Sequence, residues 1–360
     1  MGNSVEVDEF VAGHRDMLIV IFAGNEGVAQ APRNNSAAGF VDWLSIGSPA
    51  SCKNALTVGA SRSDRSSGGF SQMTYDAAWP GNFLDAFIAG ELISGDPECL
   101  DAFSSRGPCD DRRIKPVLVG PDTDIVSTKS SLVPLRNFWG AYPNNPRYAF
   151  NGGTSMSAPL VAGCAALVRE FYESRRNHPP SAALVKATLV SGARWLTDAD
   201  SIAPSPGTPN FHQGFGCVNM ATSVPHPGNA NLRLEFVDSW QDGALQFTTS
   251  GQRFRFQFSL AAPASVLSIC LAYTDLPARA LQNNLNLFVQ KPDNTKVVGN
   301  AQPSMSLNIP DPDNNVEVVR LQNAAVGTFI IQISATNLLR GPQDFALVVT
   351  GENLSGLTPI

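Results

Sequence analysis

A chain of 360 residues with 43% hydrophobic content can bury a large core, and its length predicts two domains. A formal net charge of -6, with only 16% charged residues, leaves no basic patch for nucleic acid or acidic lipid. No apolar run reaches the length of a membrane span, which argues against a membrane partner.

"MGNSVEVDEF" lacks the apolar core of a signal peptide. Its Met-Gly reads as an internal start rather than an acylation site, because Val5 to Phe10 belongs to a domain already under way. Localisation is undetermined. "MLIVIFAGNEG", residues 17 to 27, reads from its apolar run as a fully buried parallel strand ending in a Gly-Asn turn. On its own Asn25 is a turn residue that tolerates an unusual backbone angle.

In residues 151 to 176, "NGGTSMSAPLVAGCAALVREFYESRR", the apolar positions Leu160, Val161, Cys164, Ala165, Leu167, Val168 and Phe171 recur at helical steps. The spacing predicts a helix over 155–174, with Pro159 tolerated only near its start. Ser155 then sits at the N-terminal end, where unpaired N–H groups and the helix dipole favour developing negative charge. Gly152 and Gly153 permit close approach of another backbone. Residues 181 to 196 have helical spacing as well, and 213 to 232 close the first domain and form a proline- and glycine-rich connector.

Beyond the connector the pattern becomes short and alternating: "LRLEFV", "LQFTTS", "RFRFQFSL", "SVLSICLAY", "LNLFVQKPD", "VEVVRLQ", "TFIIQISA" and "FALVVTGE". Strands of that length with turns between them predict an antiparallel β-sandwich. The expected boundaries are 1–222 for the first domain, 223–231 for the linker and 232–353 for the sandwich. Asp275, Asn284 and Asn286 near strand ends are the calcium candidates, though three oxygen donors make no cage. Of six cysteines, Cys52 and Cys164 read as small apolar fillers, while Cys99 and Cys109 bracket loop-like sequence and could pair as a disulfide in an oxidising compartment.

"GTSMSAP", residues 153 to 159, resembles the serine motif of the subtilisin-like serine peptidases (subtilases). The resemblance implies that Ser155 is the nucleophile, that Asn25 completes the oxyanion hole, and that Ala23, Gly24, Gly152, Gly153 and Thr154 bind substrate. Ser157, at the neighbouring small-residue position, is given a structural role. Residues 48 to 61 and 103 to 128 look like the family's next strands and loops, and 62–102 is treated as an insertion. "AYTDLP", "NNLNLFVQKPD", "NNVEVV" and "GPQDFALVV" look like the jelly-roll domain of the alkaline-protease (KP-43-like) type. The implied fold class is an α/β doubly wound parallel sheet, N-terminally truncated, followed by an all-β antiparallel jelly roll. The implied activity is hydrolysis of protein or peptide substrates, with no cofactor needed for the chemistry and calcium only as a structural ion.

Two features depart from the family. Val117 and Asp122 stand where Lys-Pro-Asp and Ala-Pro-Gly are usual. No Asp-Thr-Gly or His-Gly-Thr-His occurs, and the four histidines, His14, His178, His212 and His226, lie in turns, loops or at a helix end. A serine hydroxyl needs a base oriented by a carboxylate. The expectation is therefore that Asp and His come from an upstream segment or a second chain, or that the chain is a non-catalytic binding module on a subtilase fold.

Overall fold

The computed structural model describes residues 2–27, 43–83, 86–198, 209–301 and 309–360. Helix α1 (Gly2–Gly13) leads into a parallel sheet of β1 (Val20–Phe22), β2 (Leu56–Ser61) and β3 (Leu118–Pro121), in that spatial order. Val20 pairs with Leu56 and Val58 with Leu118. Strand β2 is central and buried at all six positions. The expected fully buried strand at 17–27 is different in fact: β1 is the sheet edge among the described residues, its three positions are only half-buried or exposed, and Phe22 is 48% exposed. An apolar run reports composition; burial depends on neighbours on both sides.

Between β2 and β3 lie two short helices, α2 (Tyr75–Ala78) and α3 (Ala86–Ala89). After β3 a small antiparallel sheet of β4 (Ile125–Thr128), β5 (Gly140–Ala141) and β6 (Tyr148–Asn151) delivers the chain to α4 (Thr154–Arg175). Helix α4 matches the predicted 155–174 to within a residue at each end. Val161, Ala165, Val168 and Tyr172 form its buried stripe over the parallel sheet, whereas the predicted core positions Leu160 and Leu167 are 42% and 53% exposed. The helix thus carries a second, uncovered apolar stripe.

Helix α5 (Ala182–Gly192) is shorter than the predicted 181–196 and starts at Ser181, whose hydroxyl accepts the Leu184 N–H. Every residue of α5 is buried. One side meets α4 and the other meets the sandwich that follows the turn α6 (Met220–Ser223).

That sandwich contains β7 (Leu232–Asp238), β8 (Arg253–Leu260), β9 (Ala264–Ala272), β10 (Asn283–Gln290), β11 (Lys296–Val298), β12 (Val316–Ala324), β13 (Gly327–Leu338), β14 (Ala346–Glu352) and β15 (Thr358–Pro359). They form antiparallel sheets of four strands, β12-β9-β14-β7, and five, β11-β10-β13-β8-β15. Seven of the eight predicted segments are strands; "LQFTTS" instead makes a tight helical turn and one isolated bridge through Phe247. In β9, Leu267, Ile269 and Leu271 face the interior of the sandwich, while Cys270 and Ala272 join the α5 core. The period of two is intact, but both faces are covered, so the strand reads as continuously apolar.

A single core therefore runs from Leu56, Val58 and Val161 through α5 to Val318 and Val348. The two predicted domains share it. Among the described residues, no helix is long and apolar enough to cross a membrane.

Candidate active site

Gly153 caps α4 with φ +126°, a backbone angle that L side chains rarely adopt. Ser155 is the second residue of this 22-residue helix and is exposed. Its N–H belongs to the first turn, which has no intrahelical acceptor. Ser157 lies inside, its hydroxyl donating to the Gly59 and Gly120 carbonyls at 2.8 and 2.9 Å. It staples α4 onto β2 and β3, in the structural role expected of it.

Thr154 joins the serine to the end of β1. Its N–H and its hydroxyl both donate to Asn25 Oδ1, at 3.0 and 2.8 Å, and the Gly24 N–H donates to Thr154 Oγ1 at 3.2 Å. With Oδ1 engaged from behind, the amide orientation is set, and Asn25 presents its Nδ2 donor on an exposed edge beside Gly153. A Cβ on Gly153 would stand 3.1 Å from that nitrogen. At position 24, with φ +110°, only glycine fits, since a Cβ there would come within 2.8 Å of Ser105 Oγ. Ala23 is buried at the strand end. What closes on Gly152 is the Trp139 indole rather than another backbone, 1.9 Å from the place of a Cβ. Ser155, Asn25 and the neighbouring predicted residues are thus brought to one corner, where a hydroxyl, an amide donor and a helix N-terminus converge. Such a corner favours negative charge on a bound oxygen.

Three residues behind this corner escaped sequence reasoning. The Gly153 N–H donates to Asp122 Oδ2 at 3.0 Å, and the charge of the buried Asp101 carboxyl acts on Asp122. The Tyr75 hydroxyl donates to Asp101 Oδ1 at 3.2 Å. Both carboxyls are fully buried. Burial holds Asp101 up to about 7, and burial followed by the Asp101 charge pushes Asp122 well above the usual carboxylate range. Asp101 Oδ2 and Asp122 Oδ1 have no hydrogen-bond partner among the described residues, and a proton shared between the two carboxyls would satisfy both. Asp122 had a signal, since it replaces the usual glycine. Asp101 and Tyr75 had none, because both lie in the segment taken as an insertion. That segment is integral: Phe70, Tyr75, Trp79 and Phe83 form an aromatic cluster with Phe103 and Trp139, and Phe70 stacks on Trp139 at 5.2 Å.

No histidine is hydrogen-bonded to Ser155 among the described residues. His14 Nδ1 bonds the Phe10 carbonyl and its ring stacks on Phe10; His178 pairs with Asp238 at 3.1 Å; His226 Nδ1 accepts the Gly228 N–H. His212 is buried against Arg106, and burial, reinforced by that cation, pulls it down to about 3.

Cys99 and Cys109 are buried and are not bonded to each other, and the Cys99 thiol donates to Asp198 Oδ2 at 2.8 Å. The Asp275 carboxylate pairs with Lys53 Nζ at 2.7 Å and accepts the Gln282 and Asn283 N–H groups. Asn286 Nδ2 donates to Asn284 Oδ1 and Thr336 Oγ1, so two of the three candidates bond each other or a neighbour.

The chain is 29% identical over 274 residues to the serine protease/ABC transporter B family protein tagA of Dictyostelium discoideum, covering 69% of this chain and 15% of that protein. Pyrolysin of Pyrococcus furiosus is 29% identical over 247 residues, covering 66% and 15%. The chain thus spans a small part of the length of these relatives. Among solved structures, the Aeromonas sobria serine protease in complex with its chaperone covers 96% of this chain and 67% of that one at 12% identity and TM-score 0.36. A score that low bears on neither site nor mechanism. The Subtilase family model matches residues 2–216, well over half of the chain, and the chain belongs to that family.

Proposed function

We propose that this chain carries the nucleophile and oxyanion corner of a serine endopeptidase acting on protein or peptide substrates. In this reading Ser155 attacks the scissile carbonyl and forms an acyl-enzyme, and the oxyanion is held by Asn25 Nδ2 and the Ser155 N–H. Ala23, Gly24, Gly152, Gly153 and Thr154 border the bound peptide. The observation that carries the reading is the Thr154 bridge, which turns Asn25 so that its donor, not its acceptor, faces the serine side. The finer assignment to the KP-43-like type with a jelly roll is supported by the packed sheets of four and five antiparallel strands.

The base and its carboxylate are assigned to an upstream segment or a second chain. The edge position of β1 among the described residues and the uncovered stripe of α4 support this: Met17, Phe22, Leu160 and Leu167 are exposed, and Met17, Val20 and Ala162 line a cleft of about 340 Å³. The second reading, a non-catalytic module, is favoured by one observation, that all four histidines are engaged elsewhere.

The test is peptide hydrolysis and fluorophosphonate labelling of this chain alone and of the chain joined to its in-frame upstream coding sequence. Alone it keeps only the oxyanion and binding contribution, roughly 10³ over water. With Asp-Thr-Gly and His-Gly-Thr-His supplied, hydrolysis and labelling that vanish in Ser155→Ala are expected, and Asn25→Ala lowers kcat by roughly 10²- to 10³-fold. An upstream sequence without either motif, or one that restores no Ser155-dependent turnover, leaves the module reading standing.

A further inference from the structure

We propose that the cleft between the C-terminal end of α5 and the four-stranded sheet binds a small monocarboxylate carrying an apolar group, with Arg320 as the counter-charge. Register builds the site. Arg320 on β12 pairs with Ser268 on β9, and Ser268 pairs with Thr350 on β14. Three adjacent strands therefore set Arg, Ser and Thr in one row across the sheet. The preceding rows on the same face are apolar, Val318, Cys270 and Val348 and then Val316, Ala272 and Ala346, all packed into the α5 core. At the polar row the core gives way to a cavity of about 720 Å³.

The groups around that cavity are short of partners. Arg320 is 9% exposed and pairs with no carboxylate among the described residues; its hydrogen bonds go to the Val190 and Phe215 carbonyls at 2.9 and 3.4 Å. Val190 lies in the last turn of α5, so one of these bonds caps the helix. Capping leaves the rest unexplained. Arg320 Nε, the Ser268 hydroxyl and the Trp195 indole N–H are all buried without a hydrogen bond among the described residues, and all three residues line the cavity. The Trp195 ring lies 5.2 Å from the guanidinium carbon and holds it in place. Burial without a counter-charge draws Arg320 down to about 10. Burying an unpaired cation is costly, and a carboxylate accepting from Arg320, Ser268 and Trp195 would relieve it. Leu196, Leu232 and Val266 offer the remaining wall to an apolar body. Either a peptide C-terminus with an apolar last residue or a medium-chain fatty acid has this chemistry. Occupancy does not require a reactive Ser155.

The experiment is calorimetric titration and thermal shift of the whole chain with N-acetyl-leucine, with octanoate and with N-acetyl-leucinamide, which lacks the charge. Saturable binding and a raised Tm with one or both carboxylates are expected, with the amide at least about tenfold weaker. N-acetyl-leucine alone binding identifies a peptide terminus, and octanoate alone identifies a fatty acid. Arg320→Met should abolish binding while the unliganded melt stays cooperative. If Arg320→Met does not fold, Ser268→Ala carries the localisation, with an expected loss of about threefold or more. No saturable binding of either carboxylate at millimolar concentration, equal binding of the amide, or unchanged affinity in Ser268→Ala would overturn the proposal.

Discussion

Asp122 Oδ2 accepts the Gly153 N–H at 3.0 Å, so the residue that caps α4 is held by a buried carboxyl, one whose ionisation is opposed by burial and by the charge of Asp101. The pair makes stability fall as pH rises. A carboxyl with a raised folded pKa binds its proton in the native state while the unfolded chain has lost it, between the ordinary 3.8 and, for Asp101, about 7. Its stabilisation is complete below that window and is lost through it, a change of at most about 4 kcal/mol. Asp122→Asn keeps an acceptor for Gly153 and donates to Asp101 without needing the shared proton. We expect the Tm of the parent chain to decline between about pH 4 and about pH 7, and that of Asp122→Asn to decline distinctly less. Parallel Tm profiles would mean that no proton is shared.

Lys53 and Asp275 tie the first unit to the sandwich through a pair with neither side chain exposed. The ammonium also donates to the Leu276 and Ala280 carbonyls at 2.6 and 2.8 Å, so every donor is used. Removing one partner strands the other charge in the core. Lys53→Met and Asp275→Asn are each expected to cost roughly 3 to 5 kcal/mol, and the double variant clearly less than their sum. Urea melts of the four proteins decide it, and additive losses would show that the two charges do not depend on each other.

Much of the site was legible because its signals are local. The spacing of Val161, Ala165 and Val168, with Pro159 near the start, located α4, and the Gly-Thr-Ser run located Ser155 on it. Asn25 could be joined to Ser155 only by resemblance; the Thr154 bridge that does so spans 129 residues of chain. The same limit hid the Asp101–Asp122 pair, whose members show no pattern until β3 and the α2 segment are folded together. The edge position of β1, the pairing of Lys53 with Asp275 and the shared face of β9 are likewise tertiary facts. Alternation in "SVLSICLAY" identified a strand but not that both its faces are covered.

The shared core predicts how the chain unfolds. Cutting at the connector would strip α5 from Cys270, Val318 and Val348 and leave an apolar sheet face in water. A free sandwich beginning at residue 223 should therefore bind ANS and aggregate. The whole chain should melt in one calorimetric transition. Two resolved transitions, or a soluble isolated sandwich with no ANS binding, would show that the units are independent.

The last prediction concerns Thr154, the joint between serine and amide. Thr154→Val keeps the side-chain shape but removes the hydroxyl that donates to Asn25 Oδ1 and accepts the Gly24 N–H. The Thr154 N–H still reaches Oδ1, so Asn25 is loosened rather than released. Thr154 is fully buried, and the Gly24 donor beside it is left unpaired. The expected loss of stability is about 1 to 3 kcal/mol by chemical denaturation. In the form supplied with its upstream segment, kcat should fall while KM changes little, because an oxyanion donor acts on the transition state and not on the bound substrate. A rise in KM at constant kcat would instead make Thr154 a substrate-positioning residue, and would leave the Asn25 amide held by the backbone N–H alone.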